Sequence, residues 1–137
     1  MSEKELVDLA KKAAENAYVP YSHHTVGAAL LCKNGRVYLG CNIENAAYSP
    51  TNCAERTAFF KAISEGEREF EAIAVVGGYE LDFADYFAPC GVCRQVMAEF
   101  CDMKTFKVIF GKNGDEFKAF TLEEILPFGF SPKDLKR

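Results

Sequence analysis

The sequence of 137 residues lacks tryptophan, has two histidines and contains no long apolar run. A membrane-spanning helix needs roughly 20 consecutive apolar residues, and no segment approaches that length. The first residues are charged and amphipathic, unlike a secretory signal peptide. We therefore expect no membrane partner and a cytoplasmic location.

An excess of positive charge is also missing. Sixteen Lys and Arg are outnumbered by twenty Asp and Glu, which gives a net charge of −4. Proteins that bind nucleic acids usually concentrate basic residues on one face to neutralise phosphates. The composition therefore predicts no nucleic-acid partner and favours a small, weakly charged ligand.

The six cysteines are numerous for a chain of this length. In a reducing compartment they are metal ligands or buried free thiols rather than a disulfide framework. Three of them, Cys32, Cys41 and Cys101, stand outside any motif. Because free cysteine is among the most buried residue types, we expect these three to be buried, inert thiols.

Hydrophobic periodicity predicts an alternation of helices and strands. Helices are expected over residues 3–18, 53–65 and 90–101, with a short one after Thr121; strands are expected on both sides of Asn34-Gly35, at 70–78, at 106–111 and after Asn113-Gly114. This order is typical of an α/β fold. We expect a three-layer α/β/α sandwich with a mixed five-stranded sheet, formed by a single domain over residues 1–137.

The chemistry-bearing residues occur in two short motifs at predicted helix starts, Cys53-Ala54-Glu55 and Pro89-Cys90-Gly91-Val92-Cys93. Cysteines at positions i and i+3 of a helix share one face, so Cys90 and Cys93 could bind one ion. A helix N-terminus also lowers the pKa of a thiol and supplies the thiolate that zinc requires. A C-x-x-C pair alone equally suits a redox site or a structural zinc ribbon.

The first motif favours a catalytic metal site. A structural zinc site uses four protein ligands, whereas three thiols leave the fourth position for water. Glu55 lies close enough in sequence to Cys53 to approach such a water without binding the metal. The spacing C-x-E followed by P-C-x-x-C matches the signature of zinc nucleobase deaminases. Arg56 could donate to a ligand sulfur and withdraw surplus negative charge, although a surface position is the alternative.

With these motifs the sequence resembles cytidine deaminase, in its short, single-domain, zinc-dependent form. The similarity runs from about residue 16 to residue 135 and includes PYS-x-x-x-VGAAL, GCNIENAAY, CAERTAFFKAISEG and PCGVCRQV. The zinc signature is shared across the wider deaminase superfamily. The segment N-I-E-N is narrower and indicates a nucleoside substrate.

The resemblance implies one Zn²⁺ per chain, bound by Cys53, Cys90 and Cys93, with Glu55 as the proton shuttle. The expected reaction is hydrolytic deamination of cytidine and 2′-deoxycytidine to uridine and 2′-deoxyuridine plus ammonia, in pyrimidine salvage. It also implies a homotetramer whose active sites lie between subunits.

For the substrate, the resemblance assigns Asn42 and Glu44 to the ribose and the backbone around Ala54 to the base. Side chains two apart in an extended segment point the same way, so Asn42 and Glu44 could grip one hydroxyl. Tyr48 would help enclose the nucleoside. Phe130 would reach a neighbouring subunit's site, although ordinary core packing is the alternative for this residue.

The sequence departs from the family pattern at one position. The pattern P-Y-S-x-F-x-V-G-A-A-L has a Phe that packs beside the pyrimidine, and this chain has His24 there. An imidazole is flat and could still stack on the base, but it is smaller and titrates near neutral pH. Substrate affinity and base selectivity are therefore expected to depend on His24.

Three other functions share part of these features. A deaminase acting on an aminocytosine antibiotic shares the zinc motif but needs no ribose-binding N-I-E-N segment. A nucleic-acid editing deaminase needs a basic groove, which the acidic composition disfavours. A structural zinc module needs a fourth protein ligand.

Overall fold

The computed structural model describes residues 1–135. In chain order the elements are α1 (Glu3–Ala14), β1 (His24–Cys32), β2 (Val37–Cys41), α2 (Ala54–Ser64), β3 (Phe70–Tyr79), α3 (Gly91–Phe100), β4 (Lys107–Gly111), β5 (Phe117–Thr121), α4 (Leu122–Ile125) and a 3-10 turn at Pro132–Asp134. No helix within these residues has the length and apolar character needed to cross a membrane.

All five strands form one mixed sheet in the order β2-β1-β3-β4-β5. Strands β3 and β4 are parallel, and the other neighbouring pairs are antiparallel. Alternate residues of β1 and β3 point to opposite faces, as the two-residue period of a strand requires. One face packs on α1, and the other packs on α2 and α3. The predicted three-layer α/β/α sandwich with a mixed five-stranded sheet is confirmed. The single domain over residues 1–137 stays a prediction, and its last two residues, 136 and 137, lie outside the described residues.

Several local sequence signals produced the expected structures. Ser2 caps α1 through a reciprocal capping box with Glu5, and Thr121 does the same for α4. Each box satisfies two backbone N–H groups that would otherwise lack partners. The turn between β1 and β2 places Gly35 at φ 91°, where glycine carries no steric penalty.

The predicted end of the first helix was wrong. The pattern favoured a helix to residue 18, but α1 ends at Ala14. The backbone of Tyr18 instead pairs with the segment after β2: its N–H donates to Asn42 O at 3.0 Å, and its carbonyl accepts from Glu44 N at 2.9 Å. This pairing between distant segments replaces the last helical turn and fixes the backbone around Asn42 and Glu44.

Helix α2 lies unusually close to strand β2 because of Gly40. A Cβ at this position would lie 2.3 Å from Ala54 O and 2.6 Å from Ala58 N. Only a glycine permits such an approach of backbone to backbone. The first turn of α2, which follows Cys53, is therefore held directly against the sheet.

Candidate active site

Three cysteine sulfurs meet where α2 and α3 begin. Cys53 is the N-cap of α2, Cys90 is the N-cap of α3, and Cys93 lies one turn into α3. The Sγ atoms of Cys53 and Cys90 are 3.9 Å apart, and those of Cys90 and Cys93 are 3.6 Å apart. All three sulfurs lie within 4.8 Å of one another. Tetrahedral Zn²⁺ with Zn–S bonds of about 2.3 Å requires sulfurs roughly 3.8 Å apart, so the group could hold this metal.

The helix termini favour thiolates at this position. Cys53 and Cys90 are both N-cap residues, so each lies at the positive end of a helix dipole, which favours a negative charge. A hydrogen bond from Cys93 and the charge of Arg56 lower the pKa of Cys53 to about 5. The interaction with Cys53, together with burial, raises the pKa of Cys93. A metal ion bound by the cysteines would displace the thiol proton that Cys93 retains.

Glu55 is a buried acid beside the thiols. Its side chain is 1 % exposed, and its Oε1 atom has no hydrogen-bond partner within residues 1–135. Burial raises its pKa to about 7, and the nearby Cys53 thiolate acts in the same direction. An unpaired buried carboxyl oxygen is costly, so its presence next to three cysteines that could hold a metal ion points to a functional role.

Arg56 is the residue that contacts the sulfur cluster from outside. Its Nη2 donates to Cys53 Sγ at 3.2 Å. A guanidinium donating to a thiolate withdraws negative charge from the sulfur. The contact agrees with a position beside the sulfurs rather than at the surface, and the role of Arg56 in tuning a metal stays a prediction.

A cavity of about 190 Å³ opens beside the cluster. Its wall combines residues of β1, the segment after β2, the start of α2 and the loop before α3: Ser22, His24, Val26, Asn42, Thr51, Asn52, Cys53, Ala54, Glu55, Phe87 and Cys90. His24 and Ala54 therefore lie beside the cysteine cluster, and their contacts with a substrate stay a prediction. Phe87 was missed, because it belongs to no motif and its loop has no periodic pattern.

Asn42 and Glu44 both contact the chain near the start of β1. The Asn42 amide donates to His24 O at 2.8 Å and accepts from Val26 N at 3.0 Å. Glu44 Oε1 accepts from Tyr21 N and Ser22 N, each at 3.1 Å, and its Oε2 accepts from the Ser22 hydroxyl. The Ser22 hydroxyl and these amides lower the pKa of Glu44, so it is an ionised acceptor. Each side chain keeps hydrogen-bonding capacity for a further partner.

Tyr48 and Phe130 lie differently with respect to the cavity. Tyr48 lines an adjoining hollow of about 390 Å³ together with Tyr21 and Glu44. It is 75 % exposed and has a φ of 59°. Within the described residues Phe130 lines neither space; it is 55 % exposed, which excludes ordinary core packing. Both rings are thus available to a neighbouring molecule.

The remaining cysteines stay apart from the cluster. Burial raises the pKa of Cys32 to about 11, and it also raises the pKa values of Cys41 and Cys101. All three are therefore protonated and unreactive at neutral pH. The expectation of full burial holds for Cys32 but was wrong for Cys41 and Cys101, which are partly exposed at element ends.

Comparison with known proteins gives the same assignment as the geometry. The family model described as "Cytidine and deoxycytidylate deaminase zinc-binding region" matches residues 1–111. The chain belongs to this deaminase family. A cytidine deaminase of Sporosarcina psychrophila is 52% identical over 135 residues, covering 98% of this chain and 96% of that protein. The cytidine deaminase of Halalkalibacterium halodurans is 51% identical over 135 residues, covering 98% of each.

Solved cytidine deaminases have the same fold. The crystal structure of the enzyme from Burkholderia pseudomallei matches with a TM-score of 0.87 and 45% identity, covering 95% of this chain and 100% of that one. That from Mycobacterium tuberculosis matches with a TM-score of 0.81 and 35% identity, covering 96% and 98%. The resemblance predicted from the sequence is confirmed, and the chain is a member of a family of zinc-binding deaminase enzymes.

Proposed function

We propose that the protein hydrolyses cytidine and 2′-deoxycytidine to uridine and 2′-deoxyuridine plus ammonia, within a single domain. The observation that carries this proposal is the buried, unpartnered Glu55 carboxyl beside three sulfurs that lie within 4.8 Å of one another. An acid in this position can move protons in a space shielded from bulk water. Membership of the deaminase family supplies the reaction class.

Cys53, Cys90 and Cys93 would hold one Zn²⁺ per chain. Their sulfur spacing fits this ion, which binds cysteine as the thiolate. When bound at three protein ligands, zinc lowers the pKa of water to near 7 and so supplies a nucleophile at neutral pH. Within residues 1–135 the group contains three such ligands, which disfavours the structural zinc module.

Glu55 would carry protons between water and substrate. Its Oε1 first takes a proton from the attacking water and delivers it to ring N3 of the cytosine. As the water oxygen bonds to C4, this leaves a hydroxyl on that carbon and an unprotonated Glu55. The carboxylate then takes the remaining proton from the C4 hydroxyl and gives it to the amino group. The C4–N bond breaks, ammonia departs, and the oxygen stays on C4 as the carbonyl of the product. A pKa near 7 suits both transfers, because the acid and base forms are then both populated at neutral pH.

Asn42 and Glu44 would bind the sugar. Asn42 is fixed by its contact with β1, and Glu44 by its contact with the segment just before β1, so both side chains lie beside the two adjoining hollows. We infer that they hold the 3′-hydroxyl, which ribose and deoxyribose share, so both nucleosides are expected substrates. The backbone of Ala54 would contact the base, with His24 beside it and Tyr48 closing the adjoining hollow.

Arg56 would moderate the charge of the thiolate ligands. Replacing Arg56 by Gln is expected to lower kcat for cytidine by about 10- to 100-fold, the usual cost of losing a partner outside the ligand set. Zinc content is expected to stay near one per chain, because all three sulfurs remain. Arg68→Gln is the control, since Arg68 donates to backbone carbonyls far from the cluster. Equal kcat values in the two variants would contradict this role.

The subunit would act as a homotetramer in cytoplasmic pyrimidine salvage. The exposed rings of Tyr48, Phe128 and Phe130 give each chain an apolar surface suited to a second copy. We infer that Phe130 of one subunit closes the site of another.

The test is a kinetic assay on the zinc-loaded protein. Ultraviolet absorbance and ammonia release are followed with cytidine, with 2′-deoxycytidine and, as the competing substrate class, with an aminocytosine antibiotic. We expect stoichiometric uridine and ammonia from both nucleosides, from a species that sediments as four chains. If the protein deaminated the antibiotic but neither nucleoside, the proposed substrate would be wrong. If the active species were a monomer, the proposed tetramer would be wrong.

A further inference from the structure

Two aromatic side chains from different parts of the chain line the cavity together with the cysteines. His24 begins β1, and Phe87 belongs to the loop between β3 and α3. Their ring centroids are 5.6 Å apart with a tilt of 38°. Both line the cavity that contains Glu55 and Cys90. No sequence motif connects them, so only the fold brings them together.

The position of Phe87 is set by a glycine of β3. A Cβ at Gly77 would lie 2.6 Å from Phe87 Cγ, well inside contact distance. The missing side chain therefore leaves the space that the phenyl ring fills. Four residues earlier in the same loop, Phe83 is 5 % exposed, and its N–H donates to Asn113 Oδ1 at 3.2 Å. The loop is thus anchored at two points, and Phe87 is held rather than free.

His24 contributes less polarity to this wall than its identity suggests. Its Nε2 atom is buried and has no hydrogen-bond partner within residues 1–135. An unpaired buried nitrogen is unfavourable, and the neighbouring phenyl ring helps to keep water from it. The surface offered to a ligand at this wall therefore consists of the Phe87 phenyl ring together with the imidazole of His24, both of which line the cavity.

We propose that Phe87 determines affinity for the pyrimidine base, by providing the apolar face against which the base packs. This proposal rests on the proposed deaminase function and names a further residue of that site. His24 supports the Phe87 ring from β1, and Gly77 fixes its distance from the sheet. Aromatic surfaces favour offset packing of a flat heterocycle, and burial of both faces strengthens the contact.

Phe87→Ala tests this role through a separation of binding from chemistry. We expect KM for cytidine to rise roughly tenfold, the loss typical when a buried aromatic contact of this size is removed. We expect kcat within about twofold of the unmodified enzyme, since the acid and the sulfurs are untouched. The dissociation constant of the product uridine, measured by calorimetry, should rise by the same factor as KM. Zinc content should not change.

Two further variants separate a binding role from a structural one. Phe87→Leu, which keeps an apolar side chain, should recover most of the affinity. Phe120→Ala removes a similarly half-buried ring that packs on Phe110 at 5.1 Å, away from the cavity, and should leave KM unchanged. An unchanged KM in Phe87→Ala, or a fall in kcat without a rise in KM, would overturn the proposal. Failure of the unmodified protein to deaminate cytidine would instead overturn the proposed function.

Discussion

Replacing Glu55 by Gln is expected to lower kcat for cytidine by about 10²- to 10⁴-fold, the usual contribution of a positioned acid or base. The amide has nearly the same shape as the carboxyl but cannot accept and release the proton. It can still occupy the buried position, so folding should be retained. Kinetic assays of the purified variant measure the fall in turnover, and metal analysis measures its zinc content. We expect the zinc content to stay near one per chain.

The matched control is Glu99→Gln. Glu99 is exposed on α3, so this substitution makes the same chemical change, carboxyl to amide, at a site that is not buried. Its kcat should equal that of the unmodified enzyme. Near-normal turnover by Glu55→Gln, or loss of its zinc, would show that the carboxyl is not the proton carrier.

Replacing Cys90 by Ala should abolish zinc binding and destabilise the protein. Cys90 is exposed and caps α3 without a side-chain hydrogen bond, so removing its sulfur creates no internal cavity and loses no cap. Any loss of stability must then come from the metal. With free zinc about 1,000-fold above its Kd, binding contributes about 4 kcal/mol, or a Tm difference on the order of 10 °C for a domain of this size.

Metal analysis and thermal unfolding check this result with and without a chelator. Cys41→Ala is the control, because Cys41 is a partly exposed thiol outside the cluster. The chelator should lower the Tm of the unmodified protein and of Cys41→Ala to that of Cys90→Ala, whose Tm should not respond. Full zinc occupancy in Cys90→Ala would contradict its assignment as a ligand.

The fold class and the sulfur cluster could be predicted from sequence for different reasons. Strand and helix periods, the capping residues Ser2 and Thr121 and the turn at Gly35 act locally, so they are visible in short windows. The cluster was predictable because each half is a local motif at a helix start. Their convergence within 4.8 Å, however, depends on how α2 and α3 pack on the sheet.

Features that depend on contacts between distant segments could not be predicted from the sequence. Helix α1 ends early because Tyr18 pairs with residues 42 and 44, which no local pattern indicates. The alternating spacing of Asn42 and Glu44 showed that they share a direction, but not that both hold the backbone near β1. Phe87 gave no signal at all, because its place depends on a glycine in another strand.

The placement of Cys53 and Glu55 on one helix start has a consequence for motion within the protein. The separation of these two residues is set by three consecutive backbone residues, of which Cys53 is the N-cap and the next two lie in the first turn of α2. Packing forces barely alter such a short covalent connection. Cys90 and Cys93 belong to another helix, so small displacements between α2 and α3 would change the sulfur triangle and leave the acid in register with Cys53. Thermal motion of the two helices relative to each other would therefore change metal affinity first. The position of Glu55 relative to Cys53 would change less.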